Sequence, residues 1–258
     1  VDSRETTAMQ EGVVLLEKAV AADPNFVRAW IELAAAYEAA ARVSGGSPWG
    51  YMPEEHAMSL SKRAAIRAVE IAPDFGPAEA RLARTLSFLG TEGVAEHYER
   101  ALVLSPGDPE VIRSYVNYLR EENRSGEALK LLEPVLAIEP RDPQLRSTYA
   151  MLLDANGDVA GSLRQFREAI RLKPDLAEAY YNRGLAYGNQ GDSDKALADF
   201  TEAIRLRPEH AEAYHNRGLT YRRKGDPDKA IADYAEAIRL KPDYGEAYNN
   251  RGIAYGTT

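Results

Sequence analysis

Regularly spaced prolines constrain this chain before anything else does. Pro24, Pro73, Pro106, Pro140, Pro174, Pro208 and Pro242 close similar segments, at steps of 49, 33, 34, 34, 34 and 34 residues. A step held at 34 implies one structural unit used repeatedly. Each unit then buries its apolar face on its neighbours, and no single core has to grow with chain length. Segments 177–210 and 211–244 match at 22 of 34 positions, so these two at least are copies of one pattern.

Inside a unit the residues spell a helical hairpin. In 177–210, Ala179, Tyr180, Arg183, Gly184 and Tyr187 recur at three- and four-residue spacing, which is one face of a helix. Gly191-Asp192 interrupts it, since glycine tolerates the left-handed conformation that ends helices. Ser193 or Asp194 is then placed to cap a second helix with the apolar set Ala196, Leu197, Phe200, Ala203, Ile204 and Leu206. Pro208 stops that helix, because it has no N–H to donate and biases its predecessor away from helix. Gly184, Ala196 and Ala203 fall where the two helices should cross, and larger side chains there would force the axes apart.

This pattern resembles the tetratricopeptide repeat (TPR) family, in a bacterial-type array. The family's aromatic at repeat position 4, small residue at 8, Tyr at 11, Ala at 20, aromatic at 24, Ala at 27 and Pro at 32 are met by Tyr180, Gly184, Tyr187, Ala196, Phe200, Ala203 and Pro208. The next unit supplies Tyr214, Gly218, Tyr221, Ala230, Tyr234, Ala237 and Pro242. The resemblance implies an all-α fold, a right-handed superhelical solenoid of antiparallel helix hairpins. On that frame there are about 14 helices, in six whole units plus a half unit at each end. Earlier units are looser: Trp30, Ala34 and Tyr37 fit, while 109–140 keeps only Ala128 and its closing Pro140. Pro134 falls inside that unit's second helix, where a kink or weakened hydrogen bonding is expected.

The frame divides the chain. Residues 1–24 read as a half unit, a second helix over 6–22 whose Leu16, Ala19 and Pro24 match positions 24, 27 and 32. Residues 25–174 hold the divergent units, 175–244 the two near-identical ones, and 245–258 a first helix without its second. Solenoids usually close on a polar capping helix. Tyr248, Ile253 and Tyr255 at an uncapped end therefore imply either a piece of a longer protein or self-association through the C-terminal helix. The start at Val1 without Met points the same way as the first alternative. The step from Pro24 to Pro73 carries about 15 extra residues near 42–56, including Trp49, Tyr51 and Met52. These are candidates for a docking loop, or for aromatics that fold back on their own unit.

A net charge of -8 argues against general affinity for nucleic acid or an anionic membrane. No apolar stretch approaches the roughly 18 residues a membrane helix needs. Cysteine is absent, which removes disulfides, thiolate zinc sites and cysteine nucleophiles together. His56, His97, His210 and His215 lack metal-ligand spacing and are expected as solvated surface residues. With no phosphate loop, dinucleotide glycine pattern or nucleophile elbow, the reading assigns no catalytic residue, metal or cofactor, and expects no enzyme activity. The compartment stays open, with the cytoplasm preferred.

Asn-Arg-Gly recurs at Asn182-Arg183-Gly184, Asn216-Arg217-Gly218 and Asn250-Arg251-Gly252. The family usually carries Leu at repeat position 7, as Leu33 and Leu82 do here. The units with Arg also carry Asp199 and Asp233 at position 23, where earlier ones have Ala64, His97, Leu131 and Gln165. The two changes are expected to compensate, each guanidinium meeting an aspartate on a second helix.

The resemblance further implies that first helices line an inner groove through repeat positions 2, 5, 9, 12 and 13. Carried over, the candidates are Arg84, Arg113, Asn117, Arg120, Met151, Tyr181, Leu185, Asn189, His215, Leu219, Arg222, Asn249 and Ile253. Met151, Leu185, Leu219 and Ile253 would form an apolar line for an extended or helical peptide, and Arg84, Arg113 and Arg120 would face its acidic groups. Position 2 is Glu178, Glu212 and Glu246 in the last units, and the lysines of the family's carboxylate clamp are missing. The implied function is a scaffold for a protein or peptide partner, with no nucleic acid or membrane. Two alternatives stand beside it: a regulatory or substrate-presenting region of a larger enzyme or transcription regulator, and a structural protein self-assembling through uncapped ends.

Overall fold

The computed structural model describes residues 3–42 and 53–256, so Trp49, Tyr51 and Met52 lie outside the described residues. Fourteen α-helices and no strand occur among them. They fall in two compact units, Val1–Arg124 and Ser125–Thr258. The first holds α1 (Ser3–Ala22), α2 (Val27–Arg42), α3 (Glu54–Ile71), α4 (Gly76–Phe88), α5 (Val94–Leu104) and α6 (Pro109–Glu121). The second holds α7 (Ser125–Ile138), α8 (Pro143–Ala155), α9 (Val159–Leu172), α10 (Ala177–Asn189), α11 (Ser193–Leu206), α12 (Ala211–Arg223), α13 (Pro227–Leu240) and α14 (Gly245–Tyr255). Inside each unit every helix packs on the next, as the repeat requires. The all-α class of helical hairpins is thus the one found. The division falls inside the repeat of 109–140, the one that keeps fewest of the signature residues. α7 runs through Pro134, which cannot donate a hydrogen bond to the Lys130 carbonyl.

One turn chemistry closes the first helix of five repeats. Gly90, Asn123, Gly157, Gly191 and Gly225 all have positive φ, between 58° and 88°. Asn is the side-chain-bearing residue that best tolerates that conformation, which explains Asn123 among glycines. The following amide folds back five residues, as in Asp192 N to Tyr187 O (3.0 Å) and Asp226 N to Tyr221 O (3.0 Å), satisfying a carbonyl the helix end leaves open. That same aspartate then caps the second helix: Asp158 accepts from Gly161 N, Asp192 from Lys195 N and Asp226 from Lys229 N. The cap is therefore Asp192, one residue before the expected Ser193 and two before Asp194. The backbone reversal already points its carboxylate at the free amides.

Small residues set the helix crossing. A Cβ built on Gly184 would come within 2.8 Å of the Phe200 ring, and one on Gly218 within 2.8 Å of the Tyr234 ring. Ala196, Ala203, Ala230 and Ala237 on the second helices are fully buried. Beside this crossing lie two bidentate ion pairs inside single hairpins. Arg183 donates to Asp199 at 2.8 and 2.7 Å, and Arg217 to Asp233 at 2.8 and 2.7 Å. Both aspartates are buried, and the hydrogen bonds to Asp233 hold the Arg217 guanidinium above its ordinary pKa despite burial.

Two substitution sets test this arrangement in urea titrations. Gly218→Val should lose on the order of 1–3 kcal/mol by overpacking against Tyr234. Gly188→Ala, where a Cβ meets nothing within 4 Å, should gain up to about 1 kcal/mol from helix propensity. Arg217→Leu alone leaves Asp233 charged and buried, costing about 3 kcal/mol or more. Adding Asp233→Ala restores the combination of Leu33 and Ala64 and should recover most of that loss. A single mutant as stable as the parent would remove the pair's structural role.

Candidate binding site

In Ser125–Thr258 the inner-line candidates separate into three groups. Asn189, Asn249 and Ile253 are exposed, whereas Met151, Tyr181, Leu185, Leu219 and Arg222 are half-buried. Met151, Leu185 and Leu219 each form the rim of a different core cluster, around Phe166, Phe200 and Tyr234 respectively. The structure thus gives the apolar line as separate steps, not as one pocket.

His215 is the exception among the candidates: it is only 4% exposed and cannot line an open groove. The next repeat covers it. Asn250 Nδ2 lies 3.0 Å from its Nε2, and the Tyr244 hydroxyl lies 3.2 Å from its Nδ1 with the rings 4.9 Å apart. One repeat earlier the same places are taken by Tyr181, Asn216 and His210. Asn216 donates to the Tyr181 hydroxyl at 3.1 Å, and the Tyr181 and His210 rings are 4.6 Å apart. Asn182 similarly reaches Met151 Sδ at 3.5 Å. The asparagines of Asn-Arg-Gly therefore tie successive first helices together.

The expected surface placement of the histidines is corrected accordingly. His210 and His215 are buried, and half-buried His97 joins the buried Glu79 at 2.7 Å; His56 alone is exposed. Burial removes water from the imidazole, which lowers the His215 pKa below its usual value. Below about pH 6.5 the unfolded imidazole binds a proton that the folded one resists, so acidification subtracts stability. His215→Tyr, which copies Tyr181, should flatten the fall in urea midpoint between pH 7 and pH 5. Parallel titrations of parent and variant provide the check, and identical slopes would contradict it.

In Val1–Arg124 the candidates do converge. α4 and α6 bring Arg84, Asn117 and Arg120 to the wall of a cavity of about 260 Å³, with Arg42, Phe88, Tyr98, Tyr118 and Glu121. A smaller recess of about 50 Å³ shares Arg84, Ser114 and Asn117 and adds Arg81, Glu110 and Arg113. Beneath them lies Glu38, 2% exposed, paired with Arg42 at 2.7 Å, Arg84 at 3.3 Å and Arg81 at 3.5 Å. Three guanidinium groups share this one carboxylate, and Glu110 and Glu32 also act on Arg81 as neighbouring negative charges. Burial, followed by repulsion from Arg84, lowers the pKa of Arg81. Its side chain is 9% exposed, and its Nε and Nη1 find no hydrogen-bond acceptor. Glu38 Oε2, 3.5 Å from Nη1, is likewise without a hydrogen bond, so the two groups face each other with none formed between them.

Glu38, Arg42 and Arg81 were not among the sequence candidates. Glu38 sits at repeat position 12, so the inner-line rule applied to α2 would have found it. Arg81, at position 6, has no such signal, because its role comes from burial. A third cavity, about 380 Å³, is lined mainly by Trp30, Leu33, Tyr37, Leu60, Ala64 and Ile66 between α2 and α3. Among the described residues no group of three or more His, Asp or Glu side chains is arranged to hold a metal, and no helix is long and apolar enough to cross a membrane.

Hairpins of this geometry, joined in register, define a helical-repeat array. A family model for the tetratricopeptide repeat matches residues 181–245 and 215–255, and a TPR repeat model matches 155–191. Residues 155–255 thus match tetratricopeptide-repeat models, and the helical hairpins continue before them. Among solved structures the protein resembles a chain of the APC/C hetero-tetramer Cut9–Hcn1, at TM-score 0.73 and 19% identity over 95% of this chain and 46% of that one. It therefore spans about half the length of that relative. It also resembles TTC0263, a thermophilic TPR protein of Thermus thermophilus, at TM-score 0.60 and 25% identity over 70% of this chain and 98% of that one. A third is YrrB, described as a TPR protein with an unusual peptide-binding site, at TM-score 0.51 and 24% identity over 74% of this chain and 99% of that one. No curated protein matches the sequence.

Proposed function

We propose that the chain is a protein-interaction scaffold that takes an acidic segment of a partner on the arginine cleft of α2, α4 and α6. The observation that carries this reading is the gathering of Arg42, Arg84, Arg113 and Arg120 on the walls of two adjoining recesses, with Arg81 beside a carboxylate shared by three arginines. Exposed arginines at such a wall take a side-chain carboxylate by charge-assisted hydrogen bonds. Arg84 and Arg113, both exposed, with Arg120 half-buried beside them, extend positive charge along the entrance, which speeds encounter with an acidic chain. Phe88 and Tyr118 give the same cleft aromatic surface for the neighbouring residues of that segment.

The likeness to a chain of the Cut9–Hcn1 hetero-tetramer, and to YrrB, with its peptide-binding site, supports a binding role by fold. Leu185, Leu219 and Ile253 are proposed as secondary contacts, because half-buried or exposed apolar side chains on successive first helices suit a longer partner.

Fluorescence anisotropy with a labelled Asp/Glu-rich peptide, against a Lys-rich one of equal length, tests the cleft. The acidic peptide should bind more tightly and weaken as salt rises. Arg84→Glu with Arg120→Glu should reduce its affinity at least tenfold, while Leu185→Glu with Leu219→Glu should act only on longer partners. Equal binding of acidic and basic peptides would defeat the proposal.

A further inference from the structure

The larger recess of Val1–Arg124 presents guanidinium groups from three helices at once: Arg42 of α2, Arg84 of α4 and Arg120 of α6. Two of them are fixed from below. Arg42 Nη2 and Arg84 Nε meet the same oxygen, Glu38 Oε1, at 2.7 and 3.3 Å, so the two groups stand side by side. Glu38 is buried, whereas the arginine side chains remain 52% and 45% exposed. A guanidinium carries five N–H groups, and these two use only part of theirs on Glu38. The Phe88 ring, its centre 4.9 Å from the Arg42 guanidinium carbon, holds that group from another side.

Neutral donors stand between the cations. Ser87 and Asn117 line the same recess, and the Tyr98 and Ser114 hydroxyls lie 3.0 Å apart. Whichever of that pair donates, the other keeps its own hydrogen for a ligand. Among the described residues Glu121 is the acid on this wall. A carboxylate has two oxygens in one plane, and a single guanidinium already matches it as a fork. Donors arriving from α2, α4 and α6 suit an anion whose oxygens point in tetrahedral directions. A phosphomonoester has three such terminal oxygens and about 1.5 to 2 negative charges near neutral pH.

On the acidic-segment reading of this cleft, on which the proposal rests, we infer that the larger recess receives a phosphorylated side chain of the partner's segment. Arg113, in the adjoining recess of about 50 Å³, takes a neighbouring carboxylate. Glu38 is then a positioning residue, holding Arg42 and Arg84 ready without touching the phosphate.

The test uses the full chain and three labelled peptides of one Asp/Glu-flanked sequence, with phosphoserine, Glu or Ser at the central position. In anisotropy at pH 7.5 the phosphopeptide should bind at least tenfold more tightly than the Glu peptide. That advantage should shrink at pH 5.5, because a phosphomonoester loses its second charge below about pH 6. Taking the ratio of the two peptides at each pH removes titration of the chain itself. Arg84→Lys with Arg120→Lys keeps the charges but loses the fork, and should erase most of the advantage. The pH ratio is read on the parent chain, so it stands even if circular dichroism finds the double variant unfolded. Inorganic phosphate, equimolar with the phosphopeptide, should leave it bound.

Equal binding of the phosphopeptide and the Glu peptide, both above the Ser peptide, would overturn the phosphate and leave the acidic segment standing. Equal binding of all three would remove both. An advantage unchanged at pH 5.5 or in the folded double variant would also overturn the proposal, as would displacement by equimolar inorganic phosphate.

Discussion

The close crossing of two helices inside each hairpin is the constraint on which the other contacts depend. Where Gly184 meets Phe200 and Gly218 meets Tyr234, the backbone of the first helix lies against an aromatic ring with no room for a methyl group. Alanines with no exposed surface fill the rest of the seam. A core packed this tightly fixes the separation and rotation of the helices, because added or lost volume cannot be absorbed locally. Side chains one residue away from the crossing are then held at a set distance, and that is what lets an arginine reach an aspartate 16 residues further on in the same geometry twice.

On this fixed frame the repeats differ in what joins them. In Ser125–Thr258 the Arg–Asp pairs act within hairpins, and the asparagine contacts to Tyr181 and His215 act between consecutive first helices. Stability in a repeat array is close to a sum of such unit and neighbour terms. A pair that tolerates only its own complement raises specificity more than it raises stability. In Val1–Arg124 the same inner positions are used differently. Glu38 draws Arg42, Arg81 and Arg84 together under an open cleft.

Much of the hairpin chemistry was legible because it is local. Gly191 and Gly225 marked the turns, and Tyr180, Ala203 and Pro208 gave the period. The Arg–Asp exchange could be read as a coordinated change at two repeat positions. Legibility failed where a neighbouring repeat supplies the environment. His215 read as a surface residue on α12 and is buried only because Tyr244 and Asn250 belong to the repeat that follows. Arg81 carries no signal on α4 alone, because Glu38, which meets it, comes from a helix more than 40 positions earlier.

The sequence by itself determined the unit: its length, its two helices, its turn, and the small residues that let those helices touch. These follow from backbone preferences and from periodicity within about 34 residues, which are properties of a chain segment. Only the tertiary structure decided which polar groups lose water and which keep unmet donors, since burial depends on atoms contributed by other repeats. The arginine cleft arises in that second way.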